Sequence, residues 1–418
     1  MMQVQIPDSA PASANMAAPE GDLGSAGSRR ALAGFFVSGV LLSFLGAILM
    51  SWEHHVSGDY QTVSWYFAGL IAGLLSSVWI SPRLLKRRGL AWTLAFACGL
   101  AGSALLYLAF VSPPISPWWR VLGMIVIGCS AGILQTAIFN AISPMYRHNP
   151  AATVNLAGIL FGSGCFAVAM LISGAYFFYT APAIQVWIAV IPGFFGWMYW
   201  RTPFNNPQMP DPQPLKSMPA DLRNPGAVLL SLLLFFQLGS EWSLAGWLAL
   251  FLSQRLGISP ANSLWILALY WFALTVGRAA SQWILPRVRH SRLLLTNVVA
   301  AMFGCLILSL TNNEFGAITG VLLLGASFAP IYPLVVEKIG HRFPNYHPGF
   351  YNGIFSVALS GGFVAPWLLG FAASYWGIGA AMIFPLTGSI LVFLLLVLVW
   401  LENRLSTHVD DPKAVGNL

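Results

Sequence analysis

The chain has 418 residues and a formal net charge of +7, yet only 8% of it is charged while 57% is hydrophobic, and its mean hydropathy is +0.72. A water-soluble domain carries about 25% charged residues, so these proportions exclude a soluble globular protein. They also exclude a disulfide scaffold, because Cys98, Cys129, Cys165 and Cys305 all sit inside apolar runs, without metal-ligand spacing, as small packing residues.

A helix that crosses a bilayer needs about 20 apolar residues. Residues 1–30, rich in Ala, Ser, Gly and Pro, read as a disordered cytoplasmic tail, and an apolar run that begins only after Arg30 argues against a signal peptide. Six apolar spans follow, at 32–52, 61–81, 90–111, 120–142, 155–178 and 182–200, forming a first bundle over 31–200. Residues 201–226 are polar and proline-rich, which marks a cytoplasmic linker. Six more spans, at 227–252, 263–285, 293–311, 316–338, 350–373 and 378–400, form a second bundle over 227–401, followed by a cytoplasmic tail at 402–418. The expected fold is an all-α membrane protein of twelve transmembrane helices.

The two bundles repeat one another. Gly73, Ser77, Trp79, Ile80, Pro82 and Arg83 recur 204 residues later as Gly277, Ser281, Trp283, Ile284, Pro286 and Arg287. At an offset of 197, Gly123, Gly128, Ser130, Asn155, Ser163, Gly164 and Phe166 recur as Gly320, Gly325, Ser327, Asn352, Ser360, Gly361 and Phe363. Two pseudo-symmetric halves are the build of many secondary transporters, whose substrate site lies between the repeats. Charge fixes the orientation. With the N-terminus inside, all of the 20 basic residues except Arg120, Arg255 and Arg278 fall on the cytoplasmic side. The same bias accounts for the basic charge without nucleic acid as a partner.

Two six-helix halves joined by a long loop resemble the major facilitator superfamily, and GLLSSVWISPRLLKRR (73–88) is similar to the basic loop between its second and third helices. The usual acidic residue ahead of the basic cluster is absent. Within the superfamily the chain looks closest to the fucose-permease-like (fucose–galactose–glucose:proton symporter) branch. GILQTAIFN (132–140), GSEWSLAGWLALFL (239–252), GASFAPIYP (325–333) and SGGFVAP (360–366) are similar to that branch's motif words. The resemblance implies the major facilitator fold, alternating access around a central polar cavity, and a small-molecule substrate, a monosaccharide or similar polyol. It further implies a bacterial inner-membrane protein, multi-pass with both termini cytoplasmic, monomeric in the lipid bilayer and possessing no cofactor. One departure bears on mechanism. Where family symporters carry protonatable carboxylates in helices 1 and 4, this chain has Ala47 and Gln135, so the family's proton route does not carry over.

Glu241 is the one carboxylate deep in an apolar span. A charge at mid-membrane costs at least about 2.5–3.5 kcal/mol, so Glu241 must be protonated, paired or open to an aqueous cavity. It reads as a proton carrier or an acceptor for sugar hydroxyls, against a purely structural carboxylic acid bonded to a neighbouring helix. Arg278 and Glu337, both toward the cytoplasmic side, are expected to form an ion pair that holds one gate state, and Arg120 reads as an interfacial residue that snorkels. Amides and aromatics suit a sugar site. The candidates are Gln135, Asn140, Gln237, Trp242, Trp247, Tyr270, Trp271, Tyr332, Asn352 and Phe355, with Gln135 and Tyr332 at equivalent repeat positions 197 apart. Packing or a lipid belt is the plainer reading for most of the aromatics. Asn155 and Asn352 read equally well as helix caps. No phosphate loop, metal cluster or nucleophile elbow is present in the sequence, so an enzyme is not expected. Two other functions remain open: an exporter of amphipathic organic molecules, and a non-transporting membrane sensor or partner protein.

The topology has a direct test. Cysteines placed at Gln61 and Ser291 are expected to react with an impermeant thiol reagent from opposite sides of the membrane, Gln61 from outside. Labelling of both from one side would overturn the twelve-span arrangement.

Overall fold

The computed structural model describes residues 21–148, 150–204, 223–284, 287–343 and 353–409, and among these no strand occurs. The first half holds α1 (Gly21–Leu32), α2 (Gly34–Ile48), α3 (His54–Ser57), α4 (Tyr60–Arg88), α5 (Leu90–Phe110), α6 (Pro117–His148), α7 (Pro150–Ala175) and α8 (Ala181–Trp200). The second holds α9 (Pro225–Leu256), α10 (Pro260–Ile284), α11 (His290–Leu310), α12 (Glu314–Phe328), α13 (Ile331–Arg342), α14 (Gly353–Trp376) and α15 (Ala380–Val409). Among the described residues, twelve helical segments are long and apolar enough to cross a bilayer. The first joins the end of α1 to α2 as Gly27–Ile48, and the tenth joins α12 to α13 as Glu314–Arg342.

Local signals set the starts. Asn224 accepts from the Gly226 amide at 2.9 Å and Pro225 takes the first turn of α9, a position where a missing N–H costs nothing. Asp59 caps α4 through the Thr62 amide at 3.1 Å, and Asn313 caps α12 through the Gly316 amide at 2.7 Å. Two expectations change. The tail is helical from Gly21, because α1 docks on α6, with the Ser28 hydroxyl donating to the Ala141 carbonyl at 2.9 Å; residues 1–20 lie outside the described residues. The basic stretch 73–88 belongs wholly to α4 and is not a loop, and the turn comes at Gly89, whose φ of 79° suits glycine.

The repeat in sequence is a repeat in packing. In the first half α4 lies on α6, α2 on α7 and α5 on α8; in the second α10 lies on α12, α9 on α14 and α11 on α15. The recurring glycines are the crossing points. A Cβ on Gly73 would collide with the Ile125 carbonyl oxygen of α6, and one on Gly128 with the Leu70 carbonyl oxygen of α4. Their repeat partners Gly277 and Gly325 make the corresponding α10–α12 approach, against Ala329 and the Tyr270 carbonyl. Lipid offers no hydrophobic drive for helix association, so such close backbone contact is what holds these pairs together.

The halves meet along α7–α10, α4–α14 and α2–α9. At the distal face, opposite the one that holds residues 201–204, the seam is knotted by polar bonds. Gln254 of α9 accepts from the Tyr60 hydroxyl at 2.6 Å and donates to the His54 and His55 carbonyls at 3.1 and 3.2 Å. Ser64 donates to the Trp367 carbonyl at 2.9 Å, and Ser173 to the Ala261 carbonyl at 2.9 Å. Trp247 stacks on Phe67 with centroids 6.0 Å apart and donates to the Pro366 carbonyl, which assigns it to this closure. Exposed aromatics gather toward both ends of the helices, Trp118, Trp119, Phe177, Phe178 and Trp376 distally, Trp79, Trp200 and Trp283 at the other face, as in a membrane belt.

Gly128→Ala or Gly325→Ala is expected to lower stability by about 1–3 kcal/mol, because backbone and not a flexible side chain must give way. Gly99→Ala, whose added methyl would meet nothing within 4 Å, serves as the control. Thermal unfolding of the purified variants reads the difference, and equal melting of Gly128→Ala and Gly99→Ala would show that the crossings are not tight.

Candidate functional site

Glu241 sits 16 residues into the 32-residue helix α9 and is 2% exposed, about 24 Å along the helix at about 1.5 Å per residue. Its Oε1 lies 3.3 Å from Nη2 of Arg278, which reaches across from α10 and is itself buried. This pairing replaces the expected Arg278–Glu337 gate. Glu337 is half-buried midway along α13, where its carboxylate lies 3.8 Å from His290 and 3.8 Å from His341, while the long Arg278 side chain turns into the bundle.

Arg278 also holds the two halves together. Its Nη1 donates to the Gly158 carbonyl of α7 at 3.0 Å, and Asn155 of α7 donates back to the Arg278 carbonyl at 3.0 Å. The close approach needs glycine, since a Cβ on Gly158 would sit 2.9 Å from Arg278 Nη1. Asn155 lies inside α7 and therefore ties two helices instead of capping one. Among the described residues, every hydrogen bond that crosses between the halves is either part of the distal closure or made by Arg278.

Around this pair the buried polar atoms are incompletely used. Gln237, one turn before Glu241 on α9, has an unpartnered Nε2; Glu241 Oε2, Tyr270 Oη, Trp271 Nε1, Arg278 Nε and Asn155 Oδ1 are likewise without a protein partner. Buried polar groups are ordinarily paired, so such a concentration on α7, α9 and α10 marks a place where another molecule or water completes the bonding. Aromatic faces adjoin it. Phe161, Trp242 and Trp271 contact one another edge to face, with centroids 5.8, 6.5 and 6.1 Å apart, and Tyr270 packs 5.2 Å from Trp271.

Gln237, Glu241, Trp242 and Tyr270 are thus gathered about one centre, with Trp271, while Tyr332 stands half-buried near the start of α13. Gln135 is half-buried on α6 and Asn140 is buried there, and among the described residues neither is a hydrogen-bond or ion-pair partner of Glu241 or Arg278. Phe355 is buried on α14. Asn352 lies outside the described residues. Sequence reasoning did not foresee Phe161 or Gly158, which show no local signal, nor the pairing of Arg278 with Glu241. Arg120 does not snorkel: it is 4% exposed, donates from Nε to the Tyr66 hydroxyl at 2.9 Å, and lies over the Trp52 and Tyr66 rings.

A family model described as Major Facilitator Superfamily matches residues 151–366 and 230–416. The glucose/mannose transporter GlcP of Bacillus subtilis (strain 168) is 21% identical over 407 residues, covering 92% of this chain and 96% of its own. A crystal structure of the E. coli fucose:proton symporter FucP, in a variant form, matches at a TM-score of 0.58 and 15% identity, over 89% of this chain and 98% of that one. A crystal structure of a mutant of the nucleoside transporter NupG matches at a TM-score of 0.67 and 13% identity, over 91% and 99%. At these identities the structural likeness establishes the fold.

Breaking the buried pair from one side is expected to be costly. Arg278→Gln and Glu241→Gln should each destabilise by about 3–5 kcal/mol through the charge left behind, and the double variant by less than their sum. A double-mutant cycle on thermal or denaturant unfolding measures the coupling; simple additivity would mean that the two groups do not interact.

Proposed function

This chain belongs to the major facilitator superfamily, and we propose that it is a transporter of a monosaccharide or similar small polyol, moved by alternating access and coupled to protons at Glu241. The observation that carries this reading is the buried Glu241–Arg278 pair, set among unpartnered amide, indole and phenol groups beside aromatic rings packed edge to face. Sugars present hydroxyl groups to amides and carboxylates and apolar C–H faces to aromatic rings, so both kinds of surface are of use. The glucose/mannose and fucose transporters among its relatives support the same substrate class.

The chemistry of coupling follows from burial. While Glu241 is ionised it neutralises Arg278, and the guanidinium remains bound to the Gly158 carbonyl of the other half. A proton arriving at Glu241 removes that neutralisation. An uncompensated charge in dry packing costs several kcal/mol, so Arg278 must turn toward water or substrate, and the α7–α10 tie loosens. Protonation is thereby linked to the contact between the halves. In this reading the distal face is the outer one, both termini are cytoplasmic, the membrane is a bacterial inner membrane, and the structure is closed toward the outside by the Gln254, Ser64 and Ser173 bonds.

Reconstituted protein tests both parts. With an inward proton gradient, wild-type proteoliposomes are expected to concentrate a labelled hexose, by about tenfold per pH unit for one proton per sugar. Glu241→Gln, or Glu241→Gln with Arg278→Gln so that no charge is stranded, should abolish accumulation and retain exchange between equal pools. Concentrative uptake that survives in these variants would remove Glu241 as the carrier. Absence of any hexose exchange by the wild type would remove the sugar.

A further inference from the structure

A second concentration of unpartnered polar groups lies far from the charged pair, where the α2–α4 connection meets the distal ends of α4 and α6. Its centre is Tyr66. The hydroxyl of Tyr66 accepts from Arg120 Nε at 2.9 Å and lies 3.4 Å from His54 Nε2. When the Tyr66 proton is donated to His54 Nε2, the imidazole hydrogen stands on Nδ1. The ring is neutral: burial first, and then the charge of Arg120, lowers the His54 pKa to about 4, against a smaller opposite effect of Asp59, while His55 lowers it further.

The consequence is a cluster rich in unused donors, with Ser51 Oγ and His55 Nδ1 on the same connection also unpartnered. His54 Nδ1, Trp52 Nε1 and Arg120 Nη1 are all buried and have no protein partner. Trp52, His54 and Arg120 are 3%, 7% and 4% exposed, and the Arg120 guanidinium lies 5.4 Å from the Trp52 ring centroid and 5.7 Å from that of Tyr66. The ring faces offset part of the buried charge but accept nothing from Nη1. Among the described residues no carboxylate pairs with Arg120. Asp59 is engaged in capping α4 through Thr62, and Glu53 is exposed, on a backbone with a φ of 62°. A buried cation with two further N–H donors and no anion has the composition of an oxyanion site that awaits its ligand.

We propose that Arg120, His54 and Trp52 form a binding site for an oxyanion group, a phosphate or carboxylate presented at the distal face, separate from the solute site. Access is built into the closure. Two of the three donors ride on the connection whose His54 and His55 carbonyls are held by Gln254 of the other half, so release of that bond frees the connection to admit a ligand. The anion comes either from the aqueous phase or from a phospholipid headgroup, since exposed Trp118 and Trp119 adjoin Arg120 at the level of the aromatic belt.

The test uses the full-length protein in neutral detergent and in phosphatidylcholine nanodiscs, at fixed neutral pH and ionic strength. Sodium phosphate, compared with sodium chloride, is expected to raise the melting temperature by about 2–4 °C in detergent if the source is aqueous. Phosphatidylglycerol added to the nanodiscs should do so alone if the source is lipid. Trp52→Phe, which removes only the indole N–H, should reduce the rise, and Arg120→Gln should abolish it. Should Arg120→Gln fail to fold, Arg120→Lys, which keeps the charge and loses the fork, should also reduce the rise. No stabilisation of the wild type by either anion, or an undiminished rise in Trp52→Phe and Arg120→Lys, would overturn the site.

Discussion

A carboxylate and a guanidinium placed in the middle of a helix bundle must answer to each other, because neither lipid nor packed side chains can solvate them. Glu241 and Arg278 meet that demand at 3.3 Å, and much else in the centre follows from the meeting. Arg278 also donates to the Gly158 carbonyl, which requires a glycine in α7 and draws α7 against α10. Asn155 completes the tie. The residue that answers the buried carboxylate is therefore also a residue that joins the halves away from their distal seam.

The duplication gives the chain its frame and then departs from itself at the centre. Crossing glycines recur at matching positions in the two halves, so the helix pairs recur as well. The charges do not. Ala47 and Gln135 occupy positions where related symporters carry acids, and the buried carboxylate stands instead on α9. The tenth span is broken as well: Pro330 lies between α12 and α13, two residues before Tyr332, whereas the repeat equivalent α6 runs unbroken past Ile133 and Gln135. A proline lacks the N–H that would continue the ladder, so Tyr332 is presented from a helix start while Gln135 is presented from a helix interior. Two equivalent residues thus stand in unlike local structure.

The distal and central regions handle polarity in different ways. At the seam, Gln254, Tyr60, Ser64 and Ser173 pair across the halves, even though the neighbouring α2–α4 connection keeps unpartnered donors of its own. At the centre the atoms are left in excess, which suits a place where a solute supplies what is missing.

Composition, spacing and charge placement determined the twelve spans, the duplication and the superfamily, because a bilayer imposes length and apolarity on every crossing segment and these are properties of contiguous sequence. The single mid-span carboxylate was legible for the same reason: Glu241 is conspicuous against its neighbours. Its partner was not. Arg278 lies 37 positions away, on the next helix, and reading it by depth along its own helix pointed to Glu337. Arg120 was misread in the same way, since its closeness to a span end says nothing of the Trp52 and Tyr66 rings that cover it. Partners across helices depend on helix rotation and on where glycines allow backbones to approach, and those are decided only when the whole bundle packs.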